Sequence, residues 1–185
     1  MAGDARPSDR HVGRPEGYNR VYWSRYPGVY YTGDYAIRDQ DGYIWVAGRA
    51  DEVLKVAGHR IGTYELESAL VSHEAVAESA VVGVPDEIKG EAPVAFVVLK
   101  SGHQPSEELK TDLIRWIRER YGPVVVPKEI VFVRALPKTR SGKIMRRLLR
   151  AVLLGAPLGD VTTLEDEATV DEVKTAYEEL RKQIR

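Results

Sequence analysis

Apolar residues along this chain fall into two periods. The near-continuous runs SAVVGV (79–84) and APVAFVVL (92–99) predict strands of one sheet, buried on both faces, and EIVFVRAL (129–136) predicts a third strand. Helical spacing separates them. Leu66, Ala69 and Leu70 follow Thr63 at i, i+3, i+4 order, so Thr63 is expected to cap a helix with Glu65 and Glu67 in its first turns. Leu109, Leu113, Ile114 and Ile117 mark a second helix, capped by Ser106 and stopped by Gly122-Pro123. Ser141 is expected to cap a third, burying Ile144, Leu148, Leu149 and Val152 and ending at Gly155. Val173, Tyr177, Leu180 and Ile184 predict a helix in the tail.

Upstream, two β-like runs within residues 30–49 flank Asp39-Gln40-Asp41-Gly42, a hairpin signal. ADEVLKVAGHRIGT (50–63) reads as a connecting strand and loop. Residues 1–20 are polar, rich in Gly, Pro and Arg, and read as poorly ordered. The expected fold is α+β: a small sheet of about three strands flanked by helices, preceded by a β-hairpin and hinge. The expected divisions are 1–20, the hairpin 21–50, a domain over 51–155 and an extension over 156–185.

Composition narrows the chemistry. The 185 residues are 43% hydrophobic and 30% charged with net charge −1, so any electrostatic function must be local. With no cysteine there are no disulfides, thiolate metal sites or cysteine nucleophiles. No apolar run approaches the ~20 residues that span a bilayer, and MAGDARPSDR lacks the apolar core of a signal peptide, so the expected setting is cytoplasmic, with no membrane partner. His11, His59, His73 and His103 lack metal-ligand spacing. A nucleophile elbow and a Walker phosphate loop are also absent.

Three stretches hold candidate chemistry. Tyr31-Thr32-Gly33-Asp34 would let a carboxylate emerge from a tight backbone and accept two ribose hydroxyls; an ordinary turn is the other reading. Gly48-Arg49-Ala50-Asp51, with Lys55, Gly58 and Arg60, offers arginines around a glycine loop for phosphate or ribose, or else a solvated hairpin edge. From Arg134 to Arg150 run seven basic side chains and no acidic one. Arg146, Arg147 and Arg150 lie opposite the apolar stripe and read as a solvated helix face. A stand-alone module binding nucleic acid or a partner protein is the competing reading, weakened by the lack of interleaved aromatics. Lys143 sits at the expected helix start, where the dipole disfavours a cation.

In this order the three stretches resemble the last motifs of the acyl-adenylate-forming enzymes, from about Tyr22 to Ala151. The motifs are YYTGD, GRADEVLKVAGHRIGTYELE and PKTRSGK. GHRIGT (58–63), Trp116-Ile117-Arg118 and LPKTRSGKIMRR (136–147) are most similar to the acetyl-CoA synthetase branch, with propionyl- and other short-chain acyl-CoA synthetases as alternatives. The resemblance implies an acetate–CoA ligase that passes through acetyl-AMP, with acetate, ATP (leaving AMP and pyrophosphate) and CoA as small-molecule partners and no nucleic acid. It implies that Asp34, Arg49 and Arg60 bind the nucleotide. Lys143 would be the catalytic residue of adenylation, bridging carboxylate and α-phosphate, and Asp51 a hinge. Ala57, Gly58 and Arg118 would meet CoA, although Ala57 stands where that branch often has Ser. The main-chain carbonyls of Val71, His73 and Val76 would hold Mg2+. The family's large N-terminal adenylation domain, with its triphosphate loop and acyl pocket, lies outside these residues, so this chain alone is expected to be inactive.

Overall fold

A computed structural model describes residues 15–50 and 52–183. The chain divides into two compact units, with the boundary between Asp51 and Glu52.

In the first unit, α1 (Pro15–Tyr22) precedes an antiparallel hairpin of β1 (Asp34–Arg38) and β2 (Ile44–Arg49). The helix occupies ground read from sequence as irregular. Its Tyr18 and Tyr22, four residues apart, meet at 5.1 Å, and Tyr22 stacks on Tyr30 at 5.1 Å and 8°. The hairpin turn forms where Asp41-Gly42 predicts it, with Gly42 at φ 89°. Asp39 staples that turn. Its carboxylate accepts the Trp45 indole N–H at 2.8 Å and the backbone N–H groups of Tyr43 at 2.8 Å and Asp41 at 3.1 Å. These bonds, the indole's first, lower its pKa.

The second unit contains β3 (Val53–Val56), β4 (His59–Gly62), α2 (Thr63–Val71), β5 (Val76–Asp86) and β6 (Gly90–Leu99). After these come α3 (Glu107–Tyr121), β7 (Glu129–Phe132), α4 (Arg146–Leu154) and α5 (Ala168–Gln183). The sheet has five strands in the order β4-β3-β6-β5, with β7 parallel to β6. The sheet has two strands more than the expected three, because 53–62, read as a connecting strand and loop, forms a second hairpin that joins it. Ala57 (φ 49°) and Gly58 (φ 84°) are its two turn residues, both left-handed as the tight twisted connection requires. Ala-Gly lacks the Asn or Asp that usually announces such a turn.

Both faces of the sheet are covered, which explains the continuous apolar runs. Val81, Ala95, Val97 and Ile130 pack with α2 and α3 through Leu66, Leu70, Leu113 and Ile117. Their neighbours Ala80, Val82, Val94, Phe96 and Val131 face Leu149 and Leu153 of α4 and Val173 of α5. Residues 156–183 thus pack into the same unit.

Helix α3 forms as predicted. The Ser106 hydroxyl accepts the Leu109 N–H at 3.1 Å, and Gly122 closes the helix at φ 80°. Thr63 is not a cap: Gly62 holds that position without a side-chain bond, and Thr63 is the buried first helical residue. Nor does Ser141 cap α4, which starts at Arg146 after an N-cap at Met145. Residues 139–143 instead close on themselves. Gly155 ends α4 in the left-handed conformation, as predicted. No helix among the described residues is long and apolar enough to cross a membrane.

Candidate functional site

In the first unit the hairpin register sets Asp34 opposite Arg49. Arg49 Nη1 contacts Asp34 Oδ1 at 3.2 Å and the Thr32 carbonyl at 3.1 Å, and both side chains stay substantially exposed. Gly33 (φ 79°) is required here by its backbone conformation. The backbone is left-handed, and a Cβ would lie 2.6 Å from Arg49 Nη2. Two of the predicted nucleotide ligands therefore meet, one acceptor and one fork of donors side by side. Asp51 lies outside the described residues.

In the second unit the candidates separate into two groups. Ala57 and Gly58 form the tip of the β3–β4 hairpin, where the Ala57 N–H donates to the Lys89 carbonyl at 2.8 Å. A Cβ at Gly58 would meet no protein atom within 4 Å, so within the chain itself glycine serves the turn's φ. Lys89 Nζ reaches the Val124 carbonyl at 3.4 Å, in the loop that follows α3. Arg118 stands exposed in the last turn of α3, its carbonyl accepting the Gly122 N–H. Arg60 lies opposite Lys55 in register on the outward face of the same hairpin. Like charges in that position oppose one another, and sequence reading missed this pairing.

Lys143 lies in a short hairpin-like arch. Lys138 bridges to Ile144. Thr139 buckles the arch: its N–H donates to the Lys143 carbonyl at 2.8 Å, its carbonyl accepts the Gly142 N–H at 2.8 Å, and its hydroxyl accepts the Lys143 N–H at 3.1 Å. The Lys143 side chain is exposed, and its ammonium pairs with no carboxylate among the described residues. Helix α4 begins three residues later, so Lys143 precedes the helix and does not open it as the sequence suggests.

The two groups hang on opposite ends of the β5–β6 hairpin. Lys138 Nζ pairs with Glu78 at 2.7 Å, near the start of β5. At the far end, Asp86 accepts from Lys128 Nζ at 2.9 Å and from the Lys89 N–H at 3.0 Å, next to the Ala57 turn. The Lys128 bond, then the backbone N–H bonds, holds the Asp86 carboxyl down to about 2. From Glu78 to Asp86 the strand extends about 26 Å at ~3.3 Å per residue.

Of the three arginines of α4, Arg146 leaves the solvated face that the sequence suggests, whereas Arg147 and Arg150 remain exposed on it. Arg146 Nε and Nη2 donate to the two oxygens of Glu67 at 2.8 and 2.7 Å, and Nη1 lies 3.3 Å from Glu52. The Glu67 bond, ahead of the opposing effect of burial, raises the guanidinium pKa. Arg147 donates to the carbonyls of Leu158 (2.7 Å) and Asp160, and Arg150 approaches Glu91 at 3.7 Å. Arg146 and Arg147 thus spend donors on internal partners at close range.

At the end of α2, the His73 ring is fully occupied. Its Nδ1 accepts the Ala75 N–H at 3.2 Å, which assigns the proton to Nε2, 3.0 Å from Asp112. Asp112 is lowered in pKa, by Arg115 first and then His73. The Val76 N–H turns away from β6 to the His73 carbonyl at 3.1 Å, so the Val76 carbonyl is also directed outward. The Val71 carbonyl, at the helix C-terminus, lacks an intrahelical partner. These carbonyls fit a hydrated Mg2+ by donor type. No cluster of acidic or imidazole side chains joins them among the described residues.

Residues 65–143 match the AMP-binding enzyme C-terminal domain. The chain is 70% identical over 169 residues to the acetyl-coenzyme A synthetase of Pyrobaculum aerophilum, covering 91% of this chain and 25% of that protein. It is 56% identical over 170 residues to the 3-hydroxypropionyl-coenzyme A synthetase of Metallosphaera sedula, covering 92% of this chain and 26% of that protein. The acetoacetyl-CoA synthetase structure from Streptomyces lividans superposes with a TM-score of 0.75 at 26% identity, over 94% of this chain and 26% of that one. The chain thus spans about a quarter of the length of the curated relatives it matches. Residues 65–143 thus belong to the C-terminal domain family of the AMP-binding enzymes.

Proposed function

We propose that this chain is the working C-terminal part of a ligase that joins a short carboxylic acid, acetate first among them, to CoA at the expense of ATP. Placement of the Lys143 arch and the Ala57–Gly58 turn at opposite ends of one strand pair carries the reading. Two half-reactions need two different sets of groups, and a domain that rotates about Asp51 could present each in turn to one centre.

In the first half-reaction a carboxylate oxygen of acetate attacks the α-phosphorus of ATP, and pyrophosphate leaves. The exposed, unpaired ammonium of Lys143 bridges the carboxylate and α-phosphate as charge gathers on the phosphoryl oxygens. Asp34 accepts the ribose hydroxyls, with Arg49 beside it and Arg60 on the phosphate. In the second half-reaction the CoA thiol loses its proton and attacks the acyl carbonyl, and AMP leaves. Here the Ala57–Gly58 turn lines the thiol's path and Arg118 meets the nucleotide end of CoA. The Val71, His73 and Val76 carbonyls would hold Mg2+, which would supply positive charge at the end of α2.

A chimera tests the reading, with these residues replacing the matching C-terminal quarter of the Pyrobaculum aerophilum relative. Lys143→Ala should abolish acetate-dependent ATP–pyrophosphate exchange while sparing thioester formation from supplied acetyl-AMP. Equal loss of both would refute the role of Lys143. Exchange activity by the 185-residue chain on its own would refute its dependence on an adenylation domain.

A further inference from the structure

We propose that the segment Asp160–Glu165 is a positioning element for Lys143: it braces the Lys143 arch from below and keeps it in the shape that adenylation requires. This inference rests on the adenylation role proposed above for Lys143.

The segment behaves as a third strand beside the arch. Thr139 bridges to Leu164. The Arg140 N–H donates to the Thr163 carbonyl at 3.1 Å, and the Glu165 N–H donates to the Lys138 carbonyl at 2.9 Å. Lys138 is therefore pinned twice, by its carbonyl to this segment and by its ammonium to Glu78. The sequence 139–143 is left as an arch with both feet fixed.

A small core of its own seats the brace. Leu164 is 6% exposed and packs with Met145, Leu148 and Val170, joined by Leu158 and Val161 at the margin. Met145 and Leu148 belong to the first turn of α4 and its N-cap, directly after the arch. Arg147 of the same turn holds the carbonyls of Leu158 and Asp160, and the Asp160 carboxylate in turn caps Thr162. Loss of Leu164 would free one foot of the arch without touching Lys143 itself. None of this brace lies within the matched family domain, which ends at Lys143.

An exposed lysine on an unbraced Ser-Gly loop would sample many positions. Holding a catalytic charge near its productive position contributes to rate through orientation, and small displacements are costly. The brace should therefore affect turnover in one half-reaction and leave substrate binding alone.

The test uses the same chimera with Leu164→Ala, its conservative counterpart Leu164→Met, and Arg147→Gln, which loosens the segment from an exposed position should Leu164→Ala fold poorly. Pyrophosphate exchange should lose at least tenfold in kcat for Leu164→Ala, with KM for ATP and acetate unchanged within about twofold. Thioester formation from acetyl-AMP should stay within about twofold of the parent, and Leu164→Met should recover most of the exchange. Arg147→Gln should show the same split at smaller size. Parallel loss of both half-reactions, or no loss in either, would overturn the brace. A Lys143→Ala control that keeps exchange would instead overturn the underlying assignment, and the brace with it.

Discussion

Arg146 reaches Glu67 across the outer edge of β5, two parallel hydrogen bonds joining a helix on one face of the sheet to a helix on the other. The same carboxylate accepts the Val81 N–H at 2.8 Å, a donor that the edge strand would otherwise leave open. The pair thus fastens α4 and covers a strand edge where another chain could add. Glu67 is 8% exposed, so its charge is compensated by geometry and not by water.

Glu67→Gln or Arg146→Met should therefore destabilise the second unit by about 3 kcal/mol, because each strands a charged partner in a poorly hydrated place. Urea unfolding of the chain would show it, and the double variant should cost less than the sum. Arg146→Lys should rescue little, since an ammonium cannot make the bidentate contact.

Asp86→Asn should lower stability at neutral pH and make no difference in strong acid. The folded carboxyl holds its charge down to about 2, whereas the unfolded one protonates near its ordinary value. Its contribution is complete above about pH 5 and is lost as pH falls through 2. Melting curves of both proteins at pH 7 and about pH 1 should differ in the first condition and coincide in the second.

Gly58→Val should divide the half-reactions in the opposite sense to Lys143→Ala. A β-branched residue at φ 84° strains the turn, and its side chain would occupy the proposed thiol path. Thioester formation in the chimera should fall at least tenfold while pyrophosphate exchange persists.

Gly33→Ala should weaken nucleotide binding by displacing Arg49 from Asp34, since its Cβ would meet the guanidinium at 2.6 Å. The predicted change is a several-fold rise in KM for ATP with little effect on kcat. An unchanged KM would mean that the Asp34–Arg49 pairing is not part of the nucleotide site.

Much of the fold was legible because its signals are local. Ser106 and Gly122 bracket α3 as their chemistry dictates, and the runs at 79–84 and 92–99 mark strands covered on both faces. The misreadings occurred where a partner distant in sequence decides. Ser141 looks like a helix cap, but Thr139 offers a nearer hydroxyl to the Lys143 N–H, and the chain closes an arch instead. Arg146 looks like a surface residue because Glu67 lies 79 positions away. The β3–β4 turn went unseen because Ala57 adopts a left-handed φ that its side chain does not advertise. Similarly, the candidate site residues were named from motifs, whereas the proposed bracing of Lys143 by Leu164 depends on a tail outside those motifs.

The β5–β6 hairpin acts as a ruler. Two residues inserted into each strand would preserve the alternation of faces and both cores, yet move its poles about 7 Å further apart. Under the proposed rotation about a single pivot, either pole would then miss the centre it must reach, even though folding would accept the change. The length of this strand pair is thus a kinetic quantity, and a variant altered only there should fold, bind and still fail to complete the cycle.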